Sequence, residues 1–247
     1  MKSIIALTGK ARSGKDTACQ ILRSYLTGLG YNVAVMAFAD NLKASAATIF
    51  DLTVEDLYGS TKETPQTFNL SYVTMYERVE QAMYKHFRDV FDPYSDRVLL
   101  VQLTDVLVQK LKEVGKPTLM TRLGFANNYK VSSRQIQQIW GTEVVRSILG
   151  DNFWVKDLER RMHSFCNTAM QNMTTPIVLI SDMRFDTEAD MVRTYDSQII
   201  EITRANAAKV VNHISEKGLS PAIPRDFITN NGTLDELRYK LIAIVGE

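Results

Sequence analysis

What the chain has little of narrows it first. Among its 247 residues only Cys19 and Cys166 are cysteines, far apart and without metal-ligand spacing. That excludes a disulfide-built scaffold and a Cys-type metal site, and reduced cytosolic thiols are the expectation. Formal net charge is only +1, so no overall basic field advertises nucleic acid or an anionic membrane as partner. No apolar run approaches a membrane span. The first apolar segment begins almost at Met1, which leaves no room for a signal peptide and makes a cytoplasmic protein the expectation. Internal repeats and low-complexity tracts are missing too. What remains is an ordinary globular balance, 45% hydrophobic and 23% charged, long enough for one large domain or a core carrying an insertion.

The most informative stretch is Gly9-Lys10-Ala11-Arg12-Ser13-Gly14-Lys15-Asp16-Thr17. An apolar run, Ser3 to Thr8, precedes it and reads as a buried strand. An amphipathic pattern, Ala18, Ile21, Leu22, Tyr25 and Leu26, follows at helical spacing. Strand, glycine-bounded loop and helix form the setting of a phosphate-binding loop. Glycines at 9 and 14 let the backbone curl so that successive N–H groups point inward, toward the positive end of the helix dipole. Lys15 adds a point charge for the β- and γ-phosphates of a nucleotide. One place departs from the usual pattern. Asp16 stands where a Ser or Thr serves Mg²⁺, and the hydroxyl comes one residue later, at Thr17. A carboxylate is also a hard oxygen ligand, directly or through water.

Residues 32–38 read as a second buried strand, completing a βαβ unit whose strands should run parallel. Further strands are expected at 177–181, 198–203 and 226–229. Helices are expected after Ala39, over 134–149 with Ser132 and Ser133 as N-cap candidates, from Asn152, over 187–195, and after the capping box Thr233 to Glu236. Residues 51–130 differ in character. Two long helical patterns, 72–91 (stripe Val73, Tyr76, Val79, Met83, Phe87) and 97–114, lie between stretches of loop composition, 60–70 and 115–128, with no clear strand. The expected fold is α/β: a five-stranded parallel sheet flanked by helices in three layers. Its core is 1–50 with 131–247, interrupted by a helical insertion, 51–130.

Candidate chemistry collects at the carboxyl ends of these strands, where open parallel sheets bind ligands. Asp182, with Arg184 beyond it, ends the third strand, where Mg²⁺ is usually steered. Arg134, Gln138, Trp140, Thr142 and Glu143 share one helix. An Arg grips phosphate bidentately, and a Gln amide offers donor and acceptor to a base edge. The same helix, beginning Ser133-Arg134-Gln135-Ile136-Gln137-Gln138, has the look of a DNA-recognition helix, against which stands the near-zero net charge. Arg204 ends the fourth strand, and Lys209, His213, Glu216 and Lys217 suit a cationic segment closing over phosphates. His213 has no Cys or second His at ligand spacing.

Taken in order, the markers resemble those of the bacteriophage deoxynucleoside monophosphate kinases, a branch of the P-loop nucleoside monophosphate kinases. They are the loop with its Gly-Lys-Asp ending, Phe38 to Lys43, Gln138 to Glu143, Phe153 to Lys156, Asp182-Met183-Arg184, His213 to Glu216 and Thr229 to Thr233. The resemblance runs over most of the chain but aligns poorly across 51–130. It implies phosphate transfer from ATP, with Mg²⁺, to deoxynucleoside monophosphates, in the host cytoplasm, for DNA precursor synthesis. It implies the P-loop kinase fold, with the insertion serving the monophosphate side. Gly9, Arg12, Ser13, Gly14, Lys15, Asp16 and Thr17 would hold the ATP phosphates, with Arg204 and Asn230 near the ATP base. Asp16 and Asp182 would hold Mg²⁺. Lys43, Arg134 and Arg184 would serve the acceptor phosphate and the transferring group, so Lys15, Arg134, Asp182 and Arg184 form the catalytic set. Phe38, Asp40, Arg78, Gln138, Trp140, Thr142 and Trp154 would complete the acceptor site. No nucleic acid or membrane partner is expected, and related enzymes often pair, so a homodimer is admitted. The loop alone fits a kinase of another phosphorylated metabolite, such as dephospho-coenzyme A, equally well.

Overall fold

A computed structural model of the chain describes residues 3–92, 95–115, 128–205 and 218–246. In chain order its first half holds β1 (Ile4–Thr8), α1 (Lys15–Gly28), β2 (Asn32–Met36), α2 (Asp40–Phe50), α3 (Val54–Tyr58) and a 3₁₀ turn (Ser60–Glu63), then β3 (Pro65–Asn69), α4 (Tyr72–Phe87) and α5 (Arg97–Val114). There follow β4 (Asn128–Ser132), α6 (Ser133–Gln138), a π-helical stretch (Ile139–Arg146), α7 (Ser147–Leu149), α8 (Phe153–Gln171) and β5 (Pro176–Met183). The chain closes with α9 (Asp186–Arg193), β6 (Ser197–Thr203), β7 (Asp226–Thr229) and α10 (Leu234–Gly246). Two compact units divide it: Met1–Phe38 with Val155–Glu247, and Ala39–Trp154.

The first unit is the expected α/β sheet. Its five strands run in the order β2-β5-β1-β6-β7, and every neighbouring pair is parallel. β1 is central and buried at every position, as its unbroken apolar run requires of a strand covered on both faces. Side chains alternate between two layers. Ile4, Ala6, Val178, Ile180 and Ile199 pack with Leu158 and Met162 of α8 and with Ala189 and Val192 of α9. Ile5, Leu7, Leu179, Ile200 and Ile202 pack with Ala18, Leu22 and Leu26 of α1 and with Leu237 and Leu241 of α10. Helices, sheet, helices: three layers. Between β1 and β5 the register slips, Ala6 pairing with Ile180 but Thr8 with Met183. This bulge puts Met183 on the face of Val178 and Ile180 and takes Asp182 out of the regular alternation, the kind of re-aiming bulges produce beside functional sites.

The second unit is mainly helical, built on α4 and α5. Met75, Val79, Met83 and Phe87 meet Leu100, Leu103, Leu107 and Leu111 in one core with Trp140 and Trp154. The expected stripe shifts slightly. Val73 is exposed, and Met75 and Ala82 are buried in its stead. Contrary to the expectation of loops without a strand, β3 and β4 form a two-stranded antiparallel sheet, Pro65 pairing with Ser132 and Asn69 with Asn128. Pro65 starts its strand, the position that tolerates it, and Tyr129 and Val131 point inward while Lys130 points out. Ser132 caps α6 in a reciprocal box with Gln135. Gly150, at φ 94°, ends the helical run as expected. Among the described residues no helix is long and apolar enough to cross a membrane.

Candidate functional site

At the carboxyl end of β1 the chain turns through Gly9 (φ 134°), Arg12 (φ 62°) and Gly14 (φ 105°) before α1 begins at Lys15. Two of these are glycines for reasons of space as well as angle. A Cβ on Gly9 would lie 2.2 Å from the Ile202 carbonyl oxygen, and one on Gly14 2.3 Å from Asn230 Nδ2. Arg12 holds a left-handed conformation without being glycine, a strained backbone of the sort found in ligand-holding loops. The Ser13 N–H closes the turn onto the Lys10 carbonyl at 3.2 Å. Lys15 is mostly buried, and its Nζ donates to the carbonyls of Gly9 at 2.8 Å and Lys10 at 2.9 Å. Its charge therefore sits inside the loop. No side chain caps α1, and the buried Ser13 hydroxyl has no hydrogen-bond partner among the described residues. Asp16 and Thr17 are exposed on the first turn.

Asp182 joins this group. Its Oδ1 accepts the Phe38 N–H at 2.8 Å. The Cys19 thiol reports how the charges gather: burial pushes it up to about 12, the carboxylates of Asp16 and Asp182 push the same way, and Lys15 opposes them. Asp16, Asp182 and Lys15 thus all act electrostatically on Cys19 of α1. Arg184 directly follows the end of β5, its backbone N–H and that of Phe185 donating to Glu188 Oε2 at 2.7 and 3.1 Å.

Asn230, expected near the ATP base, is bonded to the phosphate loop itself. Its Nδ2 donates to the Ser13 carbonyl at 2.8 Å, and its own N–H donates to Thr203 O at 2.8 Å. Asn231 Oδ1 accepts the Ala205 N–H at 2.8 Å. The paired asparagines after β7 therefore moor the phosphate loop to the end of β6. Arg204 is exposed beside them. Lys209, His213, Glu216 and Lys217 lie outside the described residues.

The remaining candidates belong to the second unit, apart from Phe38, which is buried at the end of the first unit's β2 segment. Asp40 opens α2. Lys43 extends its ammonium over the Tyr58 ring, 4.5 Å from the centroid. Arg134 pairs with Glu63 at 2.9 Å. Tyr58 and Glu63 flank one short segment, itself pinned by Asp56, whose carboxylate accepts from the Thr53 backbone and hydroxyl, Thr61 and Gln66. Those bonds hold the Asp56 carboxyl below its ordinary range, Thr53 foremost. Arg78 Nη1 donates to the Ile49 carbonyl at 3.1 Å. Trp140 is fully buried with its N–H on Ser45 Oγ at 2.8 Å, and the Trp154 N–H goes to the Gly141 carbonyl at 2.9 Å. Gln138 and Thr142 are half-buried. The glutamines that suggested a recognition helix are in part spent locally, Gln135 in the cap of α6 and Gln137 on Ser133 Oγ. The stretch 139–146 is π-helical, a rare conformation that gathers at functional sites.

Among the described residues no three His, Cys, Asp or Glu side chains stand together as a metal cage. Two nearby carboxylates suit Mg²⁺, which usually takes one or two of them and completes its shell with phosphate and water. The family model for deoxynucleotide monophosphate kinase matches residues 3–241. A deoxynucleotide monophosphate kinase of Escherichia phage RB69 is 26% identical over 98% of this chain and 99% of its own length. One from Enterobacteria phage T4 is 25% identical over 96% of each chain. A deoxynucleoside-5'-monophosphate kinase of Escherichia phage T5 is 25% identical over 93% of this chain and 88% of its own.

Proposed function

The chain belongs to the deoxynucleotide monophosphate kinase family, and from that premise we propose that it moves the outer phosphoryl group of ATP onto the phosphate of a deoxynucleoside monophosphate. The observation that carries this reading is the loop at 9–17, with its two sterically required glycines and Lys15 turned into the turn it closes. The acceptor is a phosphate whose second pKa is near 6, so it is largely a dianion at neutral pH and needs no general base. Catalysis then reduces to positioning and charge.

In this reading Gly9, Arg12, Ser13, Gly14 and Thr17 hold the ATP phosphates through backbone N–H groups and hydroxyls, and Lys15 supplies the charge. The uncapped start of α1 and the orphaned Ser13 hydroxyl support the assignment. Asp16 and Asp182 would hold Mg²⁺, which offsets negative charge on the transferring group. Arg204 lies toward the ATP base, and Asn230 serves it through the loop. Arg184, Lys43 and Arg134 take the acceptor phosphate and the transferring group. Lys43 and Arg134, together with Phe38, Asp40, Arg78, Gln138 and Thr142, recognise the acceptor, and Trp140 and Trp154, packed in the second unit's core, support that side. The helical segment 51–130 contributes to that acceptor side. A homodimer is compatible with this reading, which sedimentation checks; nucleic acid has no place in the scheme.

Steady-state phosphoryl transfer from ATP to each of the four dNMPs, with dephospho-coenzyme A alongside, tests the reading. At least one dNMP is expected to be phosphorylated. Lys15→Ala should keep its melting temperature and lose turnover by about 10²-fold or more, as when a positioned charge is removed from a transition state. Turnover of dephospho-coenzyme A alone, or equal turnover by both proteins, sinks it.

A further inference from the structure

The peptide between Ala37 and Phe38 is bonded at both ends. Its carbonyl accepts from Arg161 Nη2 at 2.8 Å, and its N–H donates to Asp182 Oδ1 at 2.8 Å. Arg161 Nε donates to Asp157 Oδ2 at 3.0 Å, and Arg160 Nη2 donates to the other oxygen of the same carboxylate at 3.0 Å. Asp157 is 1% exposed. Spacings of three and four on α8 put these three side chains on one face of the helix. A buried carboxylate, a guanidinium, a peptide and a second carboxylate thus form one line of hydrogen bonds within the first unit.

Such a line does more than each bond alone. A peptide whose carbonyl is bonded to a cation becomes a stronger N–H donor, because successive bonds polarise one another. Here that strengthened donor meets an anionic oxygen, already the favourable case. Arg161 serves acceptors in two directions, a task for a planar fork that a compact ammonium does poorly. The line reaches Asp182 through Oδ1, and the bulge in β5 is what takes this residue out of the strand's regular alternation.

We propose that Arg161 is a positioning residue for Asp182. By holding the Ala37 carbonyl it fixes the Phe38 N–H against Oδ1, and so sets the rotation of the carboxylate. This rests on the reading of Asp182 as a Mg²⁺-holding group. A plain strut between α8 and the end of β2 would use the same bonds. It would lower stability when cut but leave metal dependence where it was.

The test uses the full chain, ¹⁵N-labelled, as wild type, Arg161→Lys, Asp182→Asn and the combined variant. Asp157→Asn/Arg161→Gln retires the buried charge together with its partner, in case Arg161→Lys folds poorly. Two readouts are the Phe38 amide proton shift and the Mg²⁺ concentration that half-saturates ATP binding in calorimetry. The Phe38 shift should move in both single variants. The Mg²⁺ requirement should rise about 10-fold in Arg161→Lys, the low end for loss of an outer-shell partner, at least as much in Asp182→Asn, and in the combined variant no further than in Asp182→Asn. A Phe38 shift that moves in Asp182→Asn but not when Arg161 is changed overturns the proposal, as do effects that add in the combination. An Asp182→Asn protein with unchanged Mg²⁺ requirement instead removes the metal assignment of Asp182, and the proposal falls with it.

Discussion

Asp56 shows how much one carboxylate can fix. It is the third residue of α3, closes the capping box with Thr53 and also gathers Thr61 and Gln66. Replacing it with Ala should cost about 1–2 kcal/mol, the range for a lost cap, measured by urea unfolding at neutral pH. The sign with pH follows from its lowered pKa. The stabilisation is present above the unfolded-state value, about 3.9, and is lost as pH falls through the lower folded-state value. The gap between wild type and Asp56→Ala should therefore narrow in acid, and a gap that widens there contradicts the assignment. Gly9→Ala is a different kind of change. It meets the Ile202 carbonyl oxygen at 2.2 Å with φ at 134°, so strain of about 1–3 kcal/mol is expected before any clash is counted, visible as a lowered unfolding midpoint. The loop's glycines and lysine were legible because their spacing is local. The bonds of Asn230 and Arg161 were not, since they reach Ser13 and Ala37 across 217 and 124 positions, and no local pattern announces such a partner.

Among the elements, the five parallel strands could be read as apolar runs, because a strand covered on both faces has no polar side to show. β3 and β4 could not. Thr67, Asn69 and Lys130 face out, Pro65 suggests a turn, and each strand's partner lies at the other end of a long helical excursion. The π-helical stretch was also illegible, since the same residues suit an α-helix. Its surroundings are tertiary: Gly141 lies so near Leu42 that a Cβ would come within 2.2 Å of Leu42 Cδ1, and Trp140 bonds to Ser45 across the same contact with α2. Gly141→Ala should cost about 1–3 kcal/mol by overpacking, read from chemical denaturation. Undisturbed stability would mean that the close approach is not a constraint.

At the scale of the whole chain, each unit has hydrophobic clusters of its own, and both tryptophans, Trp140 and Trp154, lie in the second. Tryptophan emission therefore follows the second unit, while far-ultraviolet dichroism follows both. Since the phosphate loop belongs to the first, ATP at 100 times its Kd should stabilise that unit by about 2.7 kcal/mol. The resulting rise in melting temperature should be larger by dichroism than by fluorescence; coincident curves would mean that the units melt as one. The sheet's connectivity also sets an order on biosynthesis. Among the described residues β1 pairs with β5 and β6, so the strand that leads into the phosphate loop leaves the ribosome well before either neighbour and waits longest for one. Residues 39–154 are continuous in sequence and can fold on the nascent chain meanwhile, while a bare apolar segment stays behind for a chaperone to shield until residue 176 and beyond have been translated.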